Sequence, residues 1–305
     1  MDRRTFLKST LGALGGATLV SSGLSGCAKV ELVRKDTPTM DEILEQRPRV
    51  MWVAAHPDDE SLAGSVMAKA GLKLGCPLYF LVLTHGDGGE CLLPEGCHPD
   101  LATVRGEEMK QVAKLYGAQL QHEYFYNAPL PTKSFPARHE IAAKWLAKGD
   151  PAVTVAKAIR SFKPTLLLTF APIHGFTGHP EHQLASRFAT AGVRLAADPK
   201  AAVPGEPHRV EHIYYGLNRY WITKLIGSSD PLPITEKWDI RQPCVGDRNC
   251  VQVMAENTRP HRTQAGDMGA VREISKYLDW MYLHRADPWN DIYDPYEKVN
   301  TGGMI

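Results

Sequence analysis

The stretch Val50-Met51-Trp52-Val53-Ala54-Ala55-His56-Pro57-Asp58-Asp59-Glu60 places a polar cluster directly after an apolar run. The apolar run is rich in β-branched and aromatic residues and ends at a proline, which predicts a buried strand over residues 50–55. Ligand sites of open α/β sheets lie at the carboxyl ends of such strands. We therefore expect chemistry at His56, Asp58 and Asp59. The alternative is that one of the aspartates only caps the next helix, as short acidic side chains often do.

The chain after Arg49 alternates predicted strands with predicted helices. The strands are predicted at residues 50–55, 77–84, 124–126, 165–170 and, as an edge strand, 212–217. The helices are predicted at residues 61–74, 103–116, 153–162, 185–197 and 271–283, and a surface loop at 129–149. This alternation favours right-handed βαβ units. The predicted fold class is α/β, a Rossmann-like, mainly parallel sheet with helices on both faces.

The N-terminal part has the features of an export signal. Residues 3–8, Arg3-Arg4-Thr5-Phe6-Leu7-Lys8, form a twin-arginine motif, and Leu24-Ser25-Gly26-Cys27 resembles a bacterial lipobox. We therefore expect a lipoprotein signal peptide over residues 1–26, a tether over 27–47 and one large domain over 48–305. Lipid on Cys27 would anchor a cell-envelope protein facing the periplasm or the surface. An uncleaved N-terminal anchor is the alternative.

Charge and cysteine content bear on the binding partners and on the state of the cysteines. Lys and Arg number 35 against 34 Asp and Glu, which gives no indication of a nucleic-acid surface or a polybasic membrane patch. An oxidising compartment would favour disulfides within two CxxxxxC loops, leaving Cys76 unpaired. The two predicted pairs are Cys91 with Cys97 and Cys244 with Cys250. A cysteine zinc site is less favoured, because neither pair has CxxC spacing.

A second polar cluster, His179-Pro180-Glu181-His182, follows the predicted strand at 165–170. Proline suits the first turn of a helix, and residues three apart share a helix face. If both strands are central, their carboxyl ends bring His56, Asp59 and His182 together. Two imidazoles and a carboxylate with an open position suit catalytic Zn²⁺, although another divalent metal is possible.

The motifs AHPDDE, THGDGGE, RGEE and GHPEH together resemble the PIG-L/LmbE-like de-N-acetylase family, which includes zinc-dependent N-acetylglucosaminyl deacetylases. The resemblance extends over about residues 50–264. It implies that His56, Asp59 and His182 are the metal ligands. It further implies that Asp58 is the general base, and that His179 stabilises the oxyanion or protonates the leaving amine.

The resemblance also suggests supporting and substrate residues. Glu181 would orient one histidine, although it could simply complement the dipole of the helix that it begins. Asp87 lies where the family has glutamate, and Asn127 where relatives often have an aspartate that contacts sugar hydroxyls. Arg105 would reach substrate hydroxyls or phosphate, unless it belongs to a solvated helix face. Thr177 replaces a tyrosine of some sugar deacetylases. The segment His261-Arg262-Thr263-Gln264 resembles the family's HxSQ, and we assign it no catalytic role.

The sequence therefore predicts a zinc-dependent hydrolase that removes the N-acetyl group from an N-acetylglucosamine-type sugar or glycoconjugate. Water on the metal would attack the amide carbonyl while Asp58 takes its proton. One alternative is a metallohydrolase of another amide or ester. The other is a non-catalytic glycan-binding surface lipoprotein, which would bind glycan without releasing acetate.

Overall fold

A computed structural model describes residues 37–220 and 229–299 of the chain. The predicted signal peptide, and with it Cys27, lies outside the described residues. In the described part of the chain we find no helix with the length and apolar character needed to cross a membrane.

The described residues form nine strands and nine α-helices. The strands are β1 Val50–Ala54, β2 Leu78–Val82, β3 Ala118–His122, β4 Leu166–Phe170, β5 His212–Leu217, β6 Glu236–Asp239, β7 Pro243–Val245, β8 Arg248–Asn249 and β9 Trp280–Arg285. The helices are α1 Met40–Glu45, α2 Gly64–Met67, α3 Leu101–Tyr116, α4 Arg138–Lys148, α5 Pro151–Phe162, α6 Gly175–Gly178, α7 Pro180–Ala197, α8 Cys250–Asn257 and α9 Ala265–Ser275. Short 3-10 turns at Asp59–Leu62, Thr132–Ser134 and Arg262–Gln264 and a π-helical stretch at Ala68–Lys73 complete the elements.

Seven strands form one sheet in the order β3-β2-β1-β4-β5-β9-β6. The first five are parallel, while β9 runs antiparallel to both β5 and β6. Val50 pairs with Leu78 on one side and Leu166 on the other, so β1 lies between β2 and β4. The strand order reverses between β1 and β4, which is where an open α/β sheet leaves a crevice for ligands.

The two central strands are buried along their whole length. Trp52 of β1 packs edge-on against Phe170 of β4, with 5.2 Å between ring centroids. Such continuous apolar runs are expected only where helices cover both faces of a sheet. The helices accordingly form two groups, in which α8 packs against α2 and α3, and α7 packs against α4 and α5. The predicted α/β class is confirmed.

Several predicted boundaries are wrong. The third strand is β3 rather than residues 124–126, because an edge strand of partly exposed residues carries no apolar run. Residues 138–148 of the predicted loop form α4, which buries Ile141 and Trp145 on one face. The last helix was predicted over residues 271–283, but the observed helix α9 ends at Ser275. Beyond it Met281 and Leu283 alternate with more exposed neighbours, the period of a strand, and form β9.

Two further expectations need correction. β5 is not an edge strand, since β9 pairs with its outer side. The predicted tether over 27–47 is in part structured, because α1 buries Met40 and Leu44 and is capped by Thr39. Asp41 of this helix accepts a hydrogen bond from Trp238 Nε1 at 2.7 Å, which ties the segment to the domain.

Candidate metal and active site

The two predicted clusters meet at the crevice between β1 and β4. His56, Asp58 and Asp59 lie in the turn after β1, and His182 lies in the first turn of α7, which follows β4. Asp59 Oδ2 accepts hydrogen bonds from the backbone N–H groups of Ala55 at 3.1 Å and His56 at 2.7 Å. The carboxylate therefore closes the turn at the end of the strand, and Asp58 makes no helix-capping bond with its side chain.

A ring nitrogen of each of two histidines and the two carboxylate oxygens of Asp59 converge in this crevice. His56 Nδ1 lies 3.1 Å from His182 Nε2, and His182 Nε2 lies 3.0 Å from Asp59 Oδ1. His56 Nδ1 lies 3.4 Å from Asp59 Oδ2. Ligands at 2.0–2.1 Å from a tetrahedral metal are about 3.3 Å apart. The spacing of these protein atoms fits the ligand set predicted from the sequence.

Hydrogen bonds on the outer sides of the two imidazoles decide which ring nitrogens carry lone pairs. His182 Nδ1 lies 2.9 Å from the carbonyl oxygen of Gly175, which can only accept, so Nδ1 carries the proton. His56 Nε2 lies 2.5 Å from Glu181 Oε2, so Nε2 carries the proton of that ring. In the neutral rings, His56 Nδ1 and His182 Nε2 are therefore unprotonated, and their lone pairs point at the same region as the Asp59 carboxylate.

The carboxylates around these histidines favour a positive charge. All three residues are buried. Burial by itself would lower the pKa of His56, but the carboxylates of Asp59 and Glu181 raise it to about 9. Burial opposes ionisation of Asp59, yet His182 and His56 hold the pKa of this carboxyl well below its usual range. A divalent cation supplies the missing charge without a proton, so the donor set fits a metal.

His179 has a different role from the other two histidines. The ring nitrogens of His56, His179 and His182 lie within 4.8 Å of one another, which marks a buried group able to hold a metal. However, His179 Nδ1 accepts the backbone N–H of Glu181 at 3.2 Å. In the neutral ring Nε2 then carries the proton and is a donor. We favour Asp59 over His179 as third ligand, since its oxygens are closer and carry lone pairs.

Asp58 sits in strained backbone, held from two sides. Its φ of 99° lies in the left-handed region, which non-glycine residues rarely adopt. Its backbone N–H donates to Glu60 Oε2 at 3.1 Å, and Arg105 Nη2 donates to its Oδ2 at 3.0 Å. His261 Nε2 lies 2.8 Å from the other oxygen of Glu60. These buried contacts fix both the main chain and the carboxylate of Asp58 next to His56 and Asp59.

Glu181 is the centre of a second set of contacts. Besides His56, it accepts hydrogen bonds from Asn127 Nδ2 and from the backbone N–H of Ala128, both at 2.6 Å. Its side chain is completely buried. The predicted role of orienting one histidine agrees with this geometry, and the histidine is His56.

The structure changes the interpretation of two predicted substrate residues. Arg105 is only 2% exposed. It donates to Asp58, to the carbonyl of Pro57 and to the carbonyl of Gly86, so it positions Asp58 and the glycine-rich loop at residues 86–90. A Cβ at Gly86 would lie 2.4 Å from Arg105 Cζ, and this residue has a φ of +67°. Only glycine satisfies both conditions.

Asn127 is also engaged by the protein. Its Oδ1 accepts the backbone N–H of Gly88 at 2.6 Å while its Nδ2 binds Glu181. It therefore links the glycine-rich loop to the carboxylate behind His56. Asp87, between the two anchored glycines, is exposed and remains the candidate for substrate contact.

Sequence reasoning missed several supporting residues. Thr177 Oγ1 lies 3.0 Å from His182 Nδ1, so Thr177 helps to hold the imidazole of His182. Glu108 accepts both the backbone N–H and the hydroxyl of Thr263, at 2.9 and 2.6 Å, and so anchors the segment that carries His261. The RGEE motif contains Glu108 and the HRTQ segment contains Thr263. The sequence alone does not show that these two residues are in contact.

The cysteines follow the prediction only in part. Cys91 and Cys97 form a disulfide, and Cys76 is free. The predicted disulfide between Cys244 and Cys250 is not present, since both are free thiols. They contact each other through a side-chain hydrogen bond. β7 and the start of α8 are therefore in contact without a covalent link.

Comparison with known proteins agrees with this site. Residues 51–193 match the family described as PIG-L: GlcNAc-PI de-N-acetylase. This part of the chain is therefore similar to that family. The match spans both metal-ligand clusters, Arg105, Asn127 and Glu181. The segment around His261 follows it.

One curated relative is similar to this chain in sequence, and one solved structure is similar to it in fold. The 1D-myo-inositol 2-acetamido-2-deoxy-alpha-D-glucopyranoside deacetylase of Streptomyces scabiei is 32% identical over 180 residues. That match covers 55% of this chain and 55% of the relative, so this chain spans little more than half of the relative's length. The N,N'-diacetylchitobiose deacetylase of Pyrococcus horikoshii superposes with a TM-score of 0.57 at 16% identity, covering 84% and 96% of the two chains.

The fold alone does not determine the reaction. The 4-carboxy-2-hydroxymuconate hydratase of Pseudomonas putida superposes with a TM-score of 0.55 at 14% identity, covering 79% of this chain and 97% of the hydratase. The function must therefore be argued from the side chains of the site.

Proposed function

We propose that this protein is a metal-dependent hydrolase that removes the N-acetyl group from an N-acetylglucosamine-type sugar or glycoconjugate. The observation that carries the proposal is the convergence of His56 Nδ1, His182 Nε2 and Asp59 Oδ1, all within 3.4 Å of a neighbour, beside the carboxylate of Asp58. The family match and the deacetylase named in the Streptomyces relative support it.

We propose Zn²⁺ as the metal, held by His56, Asp59 and His182. Two imidazole nitrogens and one carboxylate oxygen are a donor set that zinc accepts, with one position left for the reaction. When bound, a divalent metal polarises a carbonyl oxygen and lowers the pKa of water toward about 7.

Asp58 acts as the general base in this proposal. Its carboxylate lies directly before ligand Asp59 in the chain and is held by Arg105 at 3.0 Å. An oriented carboxylate can accept the proton of the attacking water as the carbon–oxygen bond forms. Arg105 therefore acts as a positioning residue, because it holds the carboxylate of Asp58.

His179 acts at the other side of the reacting carbonyl. With its Nδ1 turned to the backbone N–H of Glu181, it presents an Nε2–H donor. Such a donor stabilises the negative charge that develops on the carbonyl oxygen, and can pass a proton to the leaving amine. The products are acetate and the free amino sugar.

We also propose that the protein reaches the cell envelope by the twin-arginine route and is anchored through lipid on Cys27. The motif at residues 3–8 and the Leu24-Ser25-Gly26-Cys27 sequence support this. A Cys27→Ala variant should shift from the membrane fraction to the soluble fraction. Recovery of this variant in the membrane would contradict the lipid anchor.

The test of the function is acetate release. Purified protein, with its metal content measured, is incubated with N-acetylglucosamine, its oligomers, peptidoglycan fragments and acetylated glycolipids. We expect acetate and free amine in equal amounts from at least one substrate, and none from an Asp58→Asn variant that still holds metal. Release from unrelated amides or esters alone would favour a different metallohydrolase. Tight glycan binding without metal or acetate would favour a binding protein.

A further inference from the structure

The segment 174–178, which links β4 to α7 and contains the short helix α6, has an unusual backbone conformation. Gly175, Phe176 and Gly178 have φ values of 65°, 64° and 80°. The ψ value of Phe176 is −47°. These angles are close to those at the centre of the rarer, strained type of γ-turn. A residue with a side chain keeps such a conformation only where the surrounding structure holds it.

One side of segment 174–178 faces His182. The carbonyl oxygen of Gly175 lies 2.9 Å from His182 Nδ1, and Thr177 Oγ1 lies 3.0 Å from the same nitrogen. Gly175 is packed so closely against α7 that a Cβ there would lie 2.8 Å from the backbone nitrogen of Gln183 and 2.9 Å from His182 Cβ. The conformation of the segment therefore decides whether the Gly175 carbonyl meets the imidazole of His182.

The other side of the segment is bonded to Asn218, which directly follows the last residue of β5. Asn218 Nδ2 donates to the carbonyl oxygen of Phe176 at 2.6 Å. Asn218 is only 2% exposed, so the bond lies out of contact with water. Loss of this donor would leave a carbonyl without a partner in a buried position, which is costly. The amide thus holds the residue with the strained backbone.

Asn218 is itself fixed from two directions. Its backbone N–H donates to Asp230 Oδ2 at 2.7 Å, and its carbonyl oxygen accepts the backbone N–H of Asp230 at 3.0 Å. Asp230 is completely buried. β5, which ends at Leu217, is paired with β4 on one side and β9 on the other. The amide of Asn218 is therefore presented from a rigid part of the sheet, as a group that orients others must be.

We propose that Asn218 is a positioning residue for His182. By holding the carbonyl of Phe176, it keeps segment 174–178 in the conformation in which Gly175 accepts the Nδ1 proton of His182. That hydrogen bond leaves His182 Nε2 with its lone pair directed toward Asp59, 3.0 Å away. The inference rests on the proposed function, because it treats His182 as a metal ligand.

The proposed role adds a third strand to the support of the crevice. His56 follows β1 and His182 follows β4, whereas Asn218 follows β5, the next parallel strand in the sheet. Asn218 lies beyond residues 51–193, so the family match does not include it. A short polar side chain after a strand also gives no sign in the sequence of which carbonyl it will meet.

The first test measures metal affinity. Asn218→Leu removes the amide and keeps a side chain of similar size. We expect the Kd for Zn²⁺, measured by chelator competition on the folded protein, to rise about tenfold or more. Acetate release should fall at limiting zinc and recover in part at excess zinc, because His182 itself is still present. An unchanged Kd in Asn218→Leu would overturn the proposal.

Thr190→Val is the matched control. Thr190 is buried on α7, about two turns beyond His182. Its hydroxyl donates to the carbonyl of Ser186 at 2.9 Å and lies 2.8 Å from the hydroxyl of Tyr215. The variant therefore loses buried hydrogen bonds of the same helix. We expect a lower unfolding free energy with an unchanged Kd. An equal rise of Kd in Thr190→Val and Asn218→Leu would assign the effect to general destabilisation and overturn the proposal.

A second measurement does not depend on metal. In the ¹⁵N-labelled, metal-free protein the Nδ1 proton of His182 should give a slowly exchanging NMR signal, because the ring is buried and Gly175 accepts this proton. Absence of the signal from a His182→Asn variant assigns it. The signal should remain in Thr190→Val and be lost or broadened by exchange in Asn218→Leu. A sharp, unshifted signal in Asn218→Leu would contradict the positioning role.

These measurements separate the two possible failures. If the protein neither binds zinc nor releases acetate, but the NMR signal depends on Asn218, the proposed function fails and the positioning role stands. If acetate is released while Kd and the NMR signal are unchanged in Asn218→Leu, the positioning role is wrong and the proposed function stands. Should Asn218→Leu not fold, Asn218→Ser takes its place. Its hydroxyl is one bond shorter than the amide and does not span the distance to Phe176, so the same changes are expected.

Discussion

Glu181 Oε2 lies 2.5 Å from His56 Nε2, and neither side chain is more than 5% exposed. The same carboxylate accepts hydrogen bonds from Asn127 and Ala128, so three donors share two oxygens. One residue behind the metal ligands therefore sets the orientation of His56 and the position of the chain after β3.

Replacing this carboxylate should weaken metal binding. In Glu181→Gln only one oxygen remains for three donors, so at least one buried donor faces an amide N–H₂. We expect metal affinity and activity to fall about 10–100-fold. Chelator competition and acetate release measure these two quantities. Glu206→Gln, at an exposed position, is the control. Unchanged metal affinity in Glu181→Gln would contradict the assigned role.

Variants of Asp58 and Asp59 should differ in their effects on metal content and kcat. Asp58→Asn should keep stoichiometric metal but lose about 10²–10⁴-fold in kcat, since the base is removed. Asp59→Asn should lose metal as well, because Asp59 Oδ1 is a ligand oxygen. Metal analysis by mass spectrometry and acetate release are measured on the same samples. Full activity of Asp58→Asn would show that another group takes the proton.

Glu60 should act through the backbone of Asp58. Glu60→Ala removes the acceptors of both the Asp58 N–H and His261, which should cost about 1–3 kcal/mol of unfolding free energy. It should also lower kcat more than it changes KM. Glu60→Gln keeps one acceptor for the Asp58 N–H and should recover part of kcat. The readouts are urea unfolding and steady-state kinetics, and equal kcat values for the two variants would argue against this role.

Removal of the metal should be visible in stability as well as in activity. A ligand that binds only the folded state stabilises it in proportion to the logarithm of its concentration over Kd. Chelation should therefore abolish acetate release and lower Tm, and added zinc should restore both. Asp59→Asn should show a Tm that chelator and zinc hardly change. A chelated protein with full activity would rule out a metal in the reaction.

Asp230 gives a pH-dependent prediction away from the site. Burial raises the pKa of this carboxyl to about 6, above its usual 3.8. The folded state thus binds this proton more tightly than the unfolded state. Its contribution to stability is fully present below pH 3.8 and is lost as the pH rises through 6, about 3 kcal/mol in all.

An Asp230→Asn variant should remove this dependence. It should be more stable than the unmodified protein at pH 8 and lose that advantage toward pH 4.5, because asparagine can still accept the Asn218 N–H that Asp230 binds at 2.7 Å. Urea unfolding across this pH range is the measurement. Asp198→Asn, at an exposed position, is the control. A parallel stability profile for Asp230→Asn and the unmodified protein would contradict the raised pKa.

That the two polar clusters meet could be predicted because their signal is local. His56 and His182 each follow a buried strand, and parallel strands bring such positions to one edge of the sheet. The different roles of His56, His179 and His182 could not be predicted in the same way. It depends on which ring nitrogen meets Gly175, Glu181 or a backbone N–H, and these partners are set by tertiary packing.

Arg105 shows why the predicted substrate contacts were less secure. A charged residue on a helix gives the same sequence pattern whether it faces a ligand or a buried carboxylate. Burial decides the matter, because an arginine out of water needs partners within the protein. The weakly apolar elements β3 and α4 were not predicted, for a related reason. β3 at the edge and α4 over the sheet carry too few buried residues to give a clear period.

The separation of β1 and β4 along the chain has a consequence for how the protein is made. The first polar cluster is synthesised more than a hundred residues before His182, yet neither forms a site without the other. With the proposed ligands, a metal would be bound only after α7 has been synthesised and has packed against the sheet. A bound metal would indicate that β1, β4 and α7 have packed together correctly. Metal content would then measure the folding of truncated or misfolded forms.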